Sequence, residues 1–488
     1  MYKFTNIEKF NAIIENSEIN VGINPIAELC YGNGISRLLI WFPIDKLKQL
    51  TDDKTFADTS KLKHILHIRN CGNVDFTQLH DKKSSSFSDT TKLRASSFDI
   101  ICFKVPCKWD GGKGFDYASS YFNRGFIKQN KELVMDGTKT ISTDGVNWYQ
   151  PRNGYKWSDY ENGANGIYTN DYLSAQYDKF AQKEESVIVA RQHFDIGAED
   201  IDLDITDYVN KLIDGSEKNY GLCLAFSPML ECKTTEIQRY MALFTHKTNT
   251  IFIPQLKTIY SDHIQDDRGL FALRKTNRLY LYCNINGNFE NLDELPTCTI
   301  EGINQTLEVK QGGRGIYYVE VKLEEEESGV MYYDVWSNLK FQGDVIEDVE
   351  LYFTTASANR FFNVGSKIER KPNYVCEMYG IGDDEKVNQG DVRKLNVICR
   401  VPYTSNECQL VDKLALRLYV KDMGQEIDII PFDMVNRAYL ENFYLLDTHE
   451  LQPQKYFVDV KFMYNGEIRV QKDILHFEVV SDATKRYL

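Results

Sequence analysis

The chain has 488 residues, 42% hydrophobic and 13% aromatic, with Tyr (30) and Phe (27) abundant and Pro scarce at 11. That length suggests about three domains at roughly 100–200 residues each, and the composition is rich enough to fill their cores. A net charge of −14 argues against a protein that coats nucleic acid by neutralising phosphates. The acidity is uneven: residues 1–262 carry 31 Lys+Arg against 34 Asp+Glu, and residues 263–488 carry 26 against 37. No basic segment followed by an apolar core opens the chain, and no run approaches the 18 or so apolar residues that span a bilayer, so a protein made in a cytoplasm is expected.

Residues 5–17 suggest a short helix, with Thr5 as its cap and Ile7, Phe10, Ile13 and Ile14 on one side. "SRLLIWFPIDKL", Ser36 to Leu47, reads as a strong strand whose end Pro43 fixes, with Trp41 expected in the core. His64 and His67 could line one helical face as metal ligands. With strands all around and no third ligand nearby, packed or surface histidines are expected instead. "SSFDIICFKVP", from Ser96, is a further strand.

Between Lys108 and Asp171 the pattern changes to Gly, Asn, Asp and aromatics with little helical period. This predicts long ordered loops anchored by Trp109, Trp148 and Trp157. Their aromatics, Trp109, Trp148, Tyr149, Trp157, Tyr160 and Tyr168, are the candidate interface or ligand contacts, because Tyr and Trp anchor interfaces and stack on sugars. The competing reading is that they pin the loops onto their own domain.

"EDIDLDITDYVNKLIDG", from Glu199, holds Asp200, Asp202 and Asp204 at positions 1, 3 and 5 of a calcium loop. Position 6 needs glycine and position 12 a bidentate glutamate. Ile205 and Lys211 stand there, so no metal site is expected. The alternation of Ile201, Leu203 and Ile205 with two aspartates reads as a strand with one wet face. Thr206 would then cap a short helix that Gly215 ends.

After residue 262 the pattern simplifies. "NRLYLYCNING", "GIYYVEVKLE", "VMYYDVW" and "DVELYFTT" make a compact unit of strands, with Glu324–Glu327 a solvated turn and "QGGRG" a hairpin turn. Residues 356–375 read as a linker. The last unit closes on two alternating runs split by Asn465-Gly466, a strong hairpin signal. Strands about 8–12 residues apart point to Ig-like sandwiches, without the Cys–Trp–Cys signature of true Ig domains.

There is no GxSxG, HExxH or Walker loop, and no carboxylate pair stands out among 71 acidic residues. The eleven cysteines lack a CxxC pair, and Cys102 and Cys107 have the wrong spacing for zinc, so buried reduced thiols are expected. Asp266 and Asp267 beside Arg268 are expected to form an ion pair that stiffens the junction between the first and second domains. No catalytic residue, metal ligand or cofactor is assigned.

Three stretches carry a family resemblance: "SRLLIWFPIDKL", the block "WDGGKGFDYASSYFNRG…NWYQPRNGYKW…GANGIYTND", and "EDIDLDITDYVNKLIDG…NYGLCLAF". Together they resemble the DNRLRE-type jelly-roll domains of bacterial surface and phage structural proteins. "FTHKTNTIFIPQLKTIYSDHIQDDRGLF" and the run that follows resemble virion proteins of tailed phages, crAss-like phages in particular. The resemblance spans some 340 residues and rests on scaffold positions; Pro43, Cys283 and Cys298 depart from it.

It implies an all-β chain: a jelly-roll β-sandwich with long aromatic loops over 1–262, an Ig-like sandwich over 263–357, and a linker with a second Ig-like sandwich over 358–488. The implied role is that of a non-enzymatic tail, collar or ring protein of a virion, made in the host bacterial cytoplasm. Its expected partners are copies of itself in a cyclic ring and neighbouring portal, tail or fibre proteins, with no membrane and no sequence-specific nucleic acid. A carbohydrate-binding or adhesin protein is the alternative.

Overall fold

The computed structural model describes residues 1–71, 92–114, 144–160, 167, 188–231, 238–261, 263–285, 288–303, 307–324, 329–355, 375–400, 412–422, 424–439, 441–464 and 467–481. The protein is all-β, its strands mostly antiparallel. It divides into two compact units. One comprises Phe4–Lys46 and Lys63–Thr258; the other comprises Met1–Lys3, Leu47–Leu62 and Ile259–Leu488.

The elements of the first 260 residues are β1 (Tyr2–Asn6), β2 (Lys9–Ile14), β3 (Ile26–Tyr31), β4 (Ser36–Trp41), α1 (Asp45–Asp52), β5 (Lys63–Ile68) and β6 (Lys92–Arg94). There follow β7 (Phe98–Lys104), β8 (Ile188–Phe194), β9 (Ile201–Asp204), α2 (Thr206–Ile213), β10 (Leu222–Phe226), α3 (Pro228–Glu231), β11 (Gln238–Phe244) and β12 (Gln255–Ile259). An eight-stranded sheet runs β6-β11-β3-β4-β10-β7-β8, with β2 also on β4, and a four-stranded sheet runs β1-β12-β5-β9.

In place of the helix expected over 5–17 stand the end of β1 and the whole of β2, two strands in different sheets. β2 joins β4 antiparallel, Phe10 opposite Ile40 and Ala12 opposite Leu38. Its residues are buried on both faces, which removes the clean period-two signal and leaves apolar spacings that imitate a helix. The strand at Ser36 is present and its centre, Leu38 to Ile40, is fully buried. Trp41 at its end is only partly buried, so the core position expected for it is corrected.

β9 alternates as its sequence implies, with Ile201 and Leu203 buried and Asp202 and Asp204 exposed. Thr206 does not cap α2. Its hydroxyl donates to the Asp204 carboxylate at 2.6 Å, and that carboxylate also accepts the Thr206 N–H at 3.1 Å, so Asp204 closes the turn into the helix. Gly215, at φ 81°, lies just beyond the helix end as expected.

In the other unit, Asn277–Tyr282, Ile316–Val321 and Lys310–Gly313 form one three-stranded sheet, and Thr297–Ile300, Met331–Ser337 and Val349–Thr354 form another. Leu279, Leu281, Tyr317 and Val319 from the first meet Ile300, Trp336 and Phe353 from the second in one core. The "QGGRG" segment ends one of these strands and turns at Arg314 and Gly315 into the next, with Gly315 at φ 64°.

Further on, a four-stranded sheet runs Val375–Tyr379, Val392–Arg400, Asn442–Asp447, Asn436–Arg437. A five-stranded sheet runs Lys386–Asn388, Glu467–Val480, Gln454–Tyr464, Asp412–Asp422, Gln425–Met434. Two of its long strands pair down to Tyr464 opposite Glu467, the residues that flank Asn465-Gly466. That dipeptide, residues 356–374 of the linker expected over 356–375, and residues 325–327 of the acidic turn lie outside the described residues, while Val375 already opens a strand.

Candidate interaction site: the aromatic loops and an exposed sheet face

The central strands β4, β7 and β10 are apolar on both faces. Leu39 stands opposite Cys223, and Cys223 opposite Phe103, so these three share one face of the eight-stranded sheet. On that face they pack with Ile13, Ile101 and Ala225 against Trp109, Val146, Trp148, Trp157 and Ile167 of the loops. The loop aromatics thus form a second core that covers a sheet face, as the competing reading had it.

Trp109, Trp148 and Trp157 are 3%, 6% and 0% exposed. The Trp109 indole N–H donates to the Tyr220 carbonyl at 2.9 Å, and that of Trp157 to the Asn147 carbonyl at 2.9 Å. All three rings are turned inside their own unit, and the polar tips of Trp109 and Trp157 are satisfied there, so in this chain they serve as loop anchors. Tyr149 and Tyr160 pack against the same cluster and are partly buried, while Tyr168 lies outside the described residues. Tyr155 is the exposed aromatic of the described loop residues, with the Arg152 guanidinium 3.9 Å from its ring centre.

Buried polar residues hold the loops down. Asn20 is fully buried; its amide donates to the carbonyls of Gly111 (3.0 Å) and Val146 (2.9 Å), and its side-chain oxygen accepts from Gly114 N (2.9 Å). Asn11 donates to the same Gly111 carbonyl at 2.6 Å. A Cβ at Gly114 would stand 1.9 Å from the Asn20 carbonyl oxygen, so backbone approach this close needs glycine. Arg37 is fully buried and bidentate on Glu231, with Nε to Oε1 at 3.1 Å and Nη2 to Oε2 at 2.6 Å. Its guanidinium also lies 5.5 Å from the Trp148 ring centre. Burial works against the Arg37 charge, and Glu231 outweighs it, leaving the group above its ordinary value.

This pair was not legible: Arg37 interrupts an otherwise apolar strand, a signal available at once, but its partner lies 194 residues away.

The chemistry here is that of a lock. Burial pushes the Cys107 thiol up to about 11, and pushes Cys102 and Cys223 up as well, which leaves them neutral and weakly nucleophilic. The three aspartates of the calcium-like stretch each have partners of their own. Asp200 takes Arg69 at 2.9 Å, Asp202 takes His67 at 2.7 Å, and Asp204 takes Thr206. His64 points to the opposite face of β5 and bonds Thr258 at 2.9 Å. Among the described residues no three His, Cys, Asp or Glu converge as a metal site.

The ion pair expected at 266–268 is rearranged. Arg268 forks onto the buried Asp334, Nη1 to Oδ1 and Nη2 to Oδ2 both at 3.0 Å, and Trp336 Nε1 donates to the same carboxylate at 2.8 Å. Asp267 pairs with Arg437, and Asp266 accepts from Tyr282 Oη at 3.2 Å. Backbone bonds from Asp266 N to Arg437 O and from Arg437 N to Ile264 O, both 2.9 Å, add this segment to the strand at Asn436. The joint so stiffened lies between the two C-terminal sheet regions, where Ile264, Tyr280 and Phe443 form a small core.

Outward-facing aromatics occur on the strand pair Met331–Ser337 and Val349–Thr354. Tyr333 stands directly opposite Tyr352, at 36% and 48% exposure, with Met331 at 52% beside them. Tyr352 meets Tyr439 edge to face at 6.3 Å.

No family model matches this sequence, and no curated protein matches it. Solved structures do. A titin Ig tandem, domains A164-A165, is similar at 12% identity over 43% of this chain and 92% of its own, with a TM-score of 0.16. The D00-D0 domain of intimin is similar at 10% identity over 44% and 96%, with a TM-score of 0.14. The Bacteroides ovatus mixed-linkage glucan utilization locus protein SGBP-B, solved with a mixed-linkage heptasaccharide, shares 12% identity over 44% and 45%, with a TM-score of 0.12. Superpositions this poor carry no argument on what the chain does.

Proposed function

We propose that this chain is a non-enzymatic structural subunit of a tailed-phage virion, a tail, collar or ring protein that acts through protein–protein assembly. The observation that carries the reading is where its aromatics point. The loop tryptophans are used up inside their own unit, while Met331, Tyr333 and Tyr352 make an outward apolar sheet face of the kind that a partner covers. A jelly roll over the first 260 residues and a tandem of Ig-like sandwiches after it form the scaffold of this proposal. Copies of the chain in cyclic symmetry, and neighbouring portal, tail or fibre proteins, are the partners it calls for. Synthesis in the host bacterial cytoplasm and residence in the virion follow from the same reading.

A second reading has one specific observation in its favour. Tyr333 and Tyr352, directly opposed across two strands, offer a two-ring platform on which a sugar can stack. A carbohydrate-binding or adhesin role would use that platform. Mass photometry of the chain co-expressed with neighbouring virion proteins, beside a glycan array of the chain alone, separates the two. Closed oligomers and a blank array support assembly. A chain that stays monomeric with every such partner and binds a defined glycan at micromolar affinity overturns it.

A further inference from the structure

Cys376 and Cys399 occupy directly opposed positions on the paired strands Val375–Tyr379 and Val392–Arg400. Their sulfur atoms are 2.9 Å apart, inside ordinary van der Waals contact, and both residues are buried. The backbone of Cys376 does not face its partner strand. Its N–H donates to the Gln471 side-chain oxygen at 3.0 Å and its carbonyl accepts from the Gln471 amide at 2.9 Å. Both groups therefore point away from Cys399, which makes this a non-hydrogen-bonded pair of the antiparallel ladder. Such pairs bring their Cα atoms to about 4.5 Å, within the range a disulfide spans without backbone movement. The strand Val375–Tyr379 lies at the end of its sheet, held laterally by the Glu377–Arg400 ion pair.

We propose that Cys376 and Cys399 are a redox site that closes to a cross-strand disulfide by exchange with a small disulfide such as oxidised glutathione. One protein thiolate attacks a glutathione sulfur and releases one glutathione thiolate. The second protein thiolate then attacks the mixed disulfide at the protein sulfur and releases the other. The two protons lost by the cysteines end on the two glutathiones, and the two electrons pass from the protein pair to the small disulfide. Closure fastens the terminal strand to its neighbour and joins residues 23 apart in sequence. Because both thiols are buried, exchange needs a local opening of the strand, so oxidation is slow in the native chain and is accelerated where the strand loosens.

The test equilibrates the full-length chain with oxidised glutathione in sub-denaturing urea, quenches by alkylation in denaturant, and maps disulfides by non-reducing peptide mass spectrometry. The expected result is one dominant cross-linked peptide, Cys376 with Cys399, an alkylated intact mass lower than that of the reduced chain by two alkyl groups, and a melting transition raised by roughly 5–10 °C. Cys399→Ser should abolish all three and leave glutathione attached at Cys376. Cys376→Val, which keeps the apolar packing, should melt near the reduced chain and give no glutathione-dependent shift. Recovery of both residues as alkylated thiols after equilibration, or cross-links that form preferentially at other cysteines, overturns the proposal.

Discussion

The loop-covered sheet around β4 and the tandem sandwiches after residue 262 use the same residue types in opposite directions. In the first, tryptophans from the loops turn inward and close a sheet face; in the second, tyrosines on a finished sandwich turn outward. Each region also buries an arginine that forks onto a buried carboxylate, Arg37 on Glu231 in the first and Arg268 on Asp334 in the second. Aromatic enrichment by itself is therefore no marker of a binding surface. What decides is whether the sheet face beneath is already covered.

The largest expected effect breaks the buried pairs. Arg37→Met leaves Glu231 buried without its counter-charge, and Arg268→Met does the same to Asp334; each should cost about 3–5 kcal/mol in urea unfolding. The double change Arg37→Met with Glu231→Leu should recover most of the loss, since packing replaces both charges. A single variant within about 1 kcal/mol of the parent would show that the pair is not desolvated as drawn.

Truncation of the aromatics sharpens the same contrast. Trp157→Ala, at a fully buried ring, should cost about 3–5 kcal/mol, whereas Tyr352→Ala on the exposed face should stay within about 0.5 kcal/mol. Equal losses at the two sites would erase the distinction between inward and outward aromatics.

The two regions should also answer pH with opposite signs. Burial pushes Asp266 up to about 6, against the pull of Arg268, and burial pulls His64 down to about 4. Between pH about 4 and about 6 the folded chain keeps the Asp266 proton that the unfolded chain has lost. Stability from this group is therefore greatest below about 4 and falls as pH rises to about 6, by at most about 3 kcal/mol. At His64 the unfolded chain takes up a proton that the folded chain refuses. Stability falls there as pH drops from about 6.5 to about 4, by a similar amount. Hydrogen exchange read on peptides of each region should show the opposed slopes, Asp266→Asn flattening one and His64→Gln the other.

The smallest effect expected is that of chelation. With Asp200, Asp202 and Asp204 each already partnered, melts with and without chelator should coincide, and a loss above about 10 °C would reveal linked metal binding.

Much of this fold was legible where one strand face is wet. Ile201–Asp204 and Ile316–Val321 alternate in sequence as they do in space. Legibility failed where both faces are buried. Lys9–Ile14 imitates a helix because its polar residues lie beneath the loops, and Trp41 could not be phased within an unbroken apolar run. For the candidate site, the tryptophans announced themselves as anchors of the loops. Their direction was hidden, because it depends on which sheet face lies under them. The partners of Arg37 and Arg268 were hidden too, since only the strand order brings positions 194 and 66 residues away into contact.

The central claim, that the outward tyrosine face serves assembly, is tested most directly by Tyr333→Ser combined with Tyr352→Ser. Mass photometry would follow the doubly substituted chain co-expressed with the virion proteins that the proposed function calls for. The account expects an unchanged melting temperature and at least a tenfold loss of closed oligomers relative to the parent, in line with loss of two interface aromatics. Oligomers that form as fully as those of the parent would contradict it.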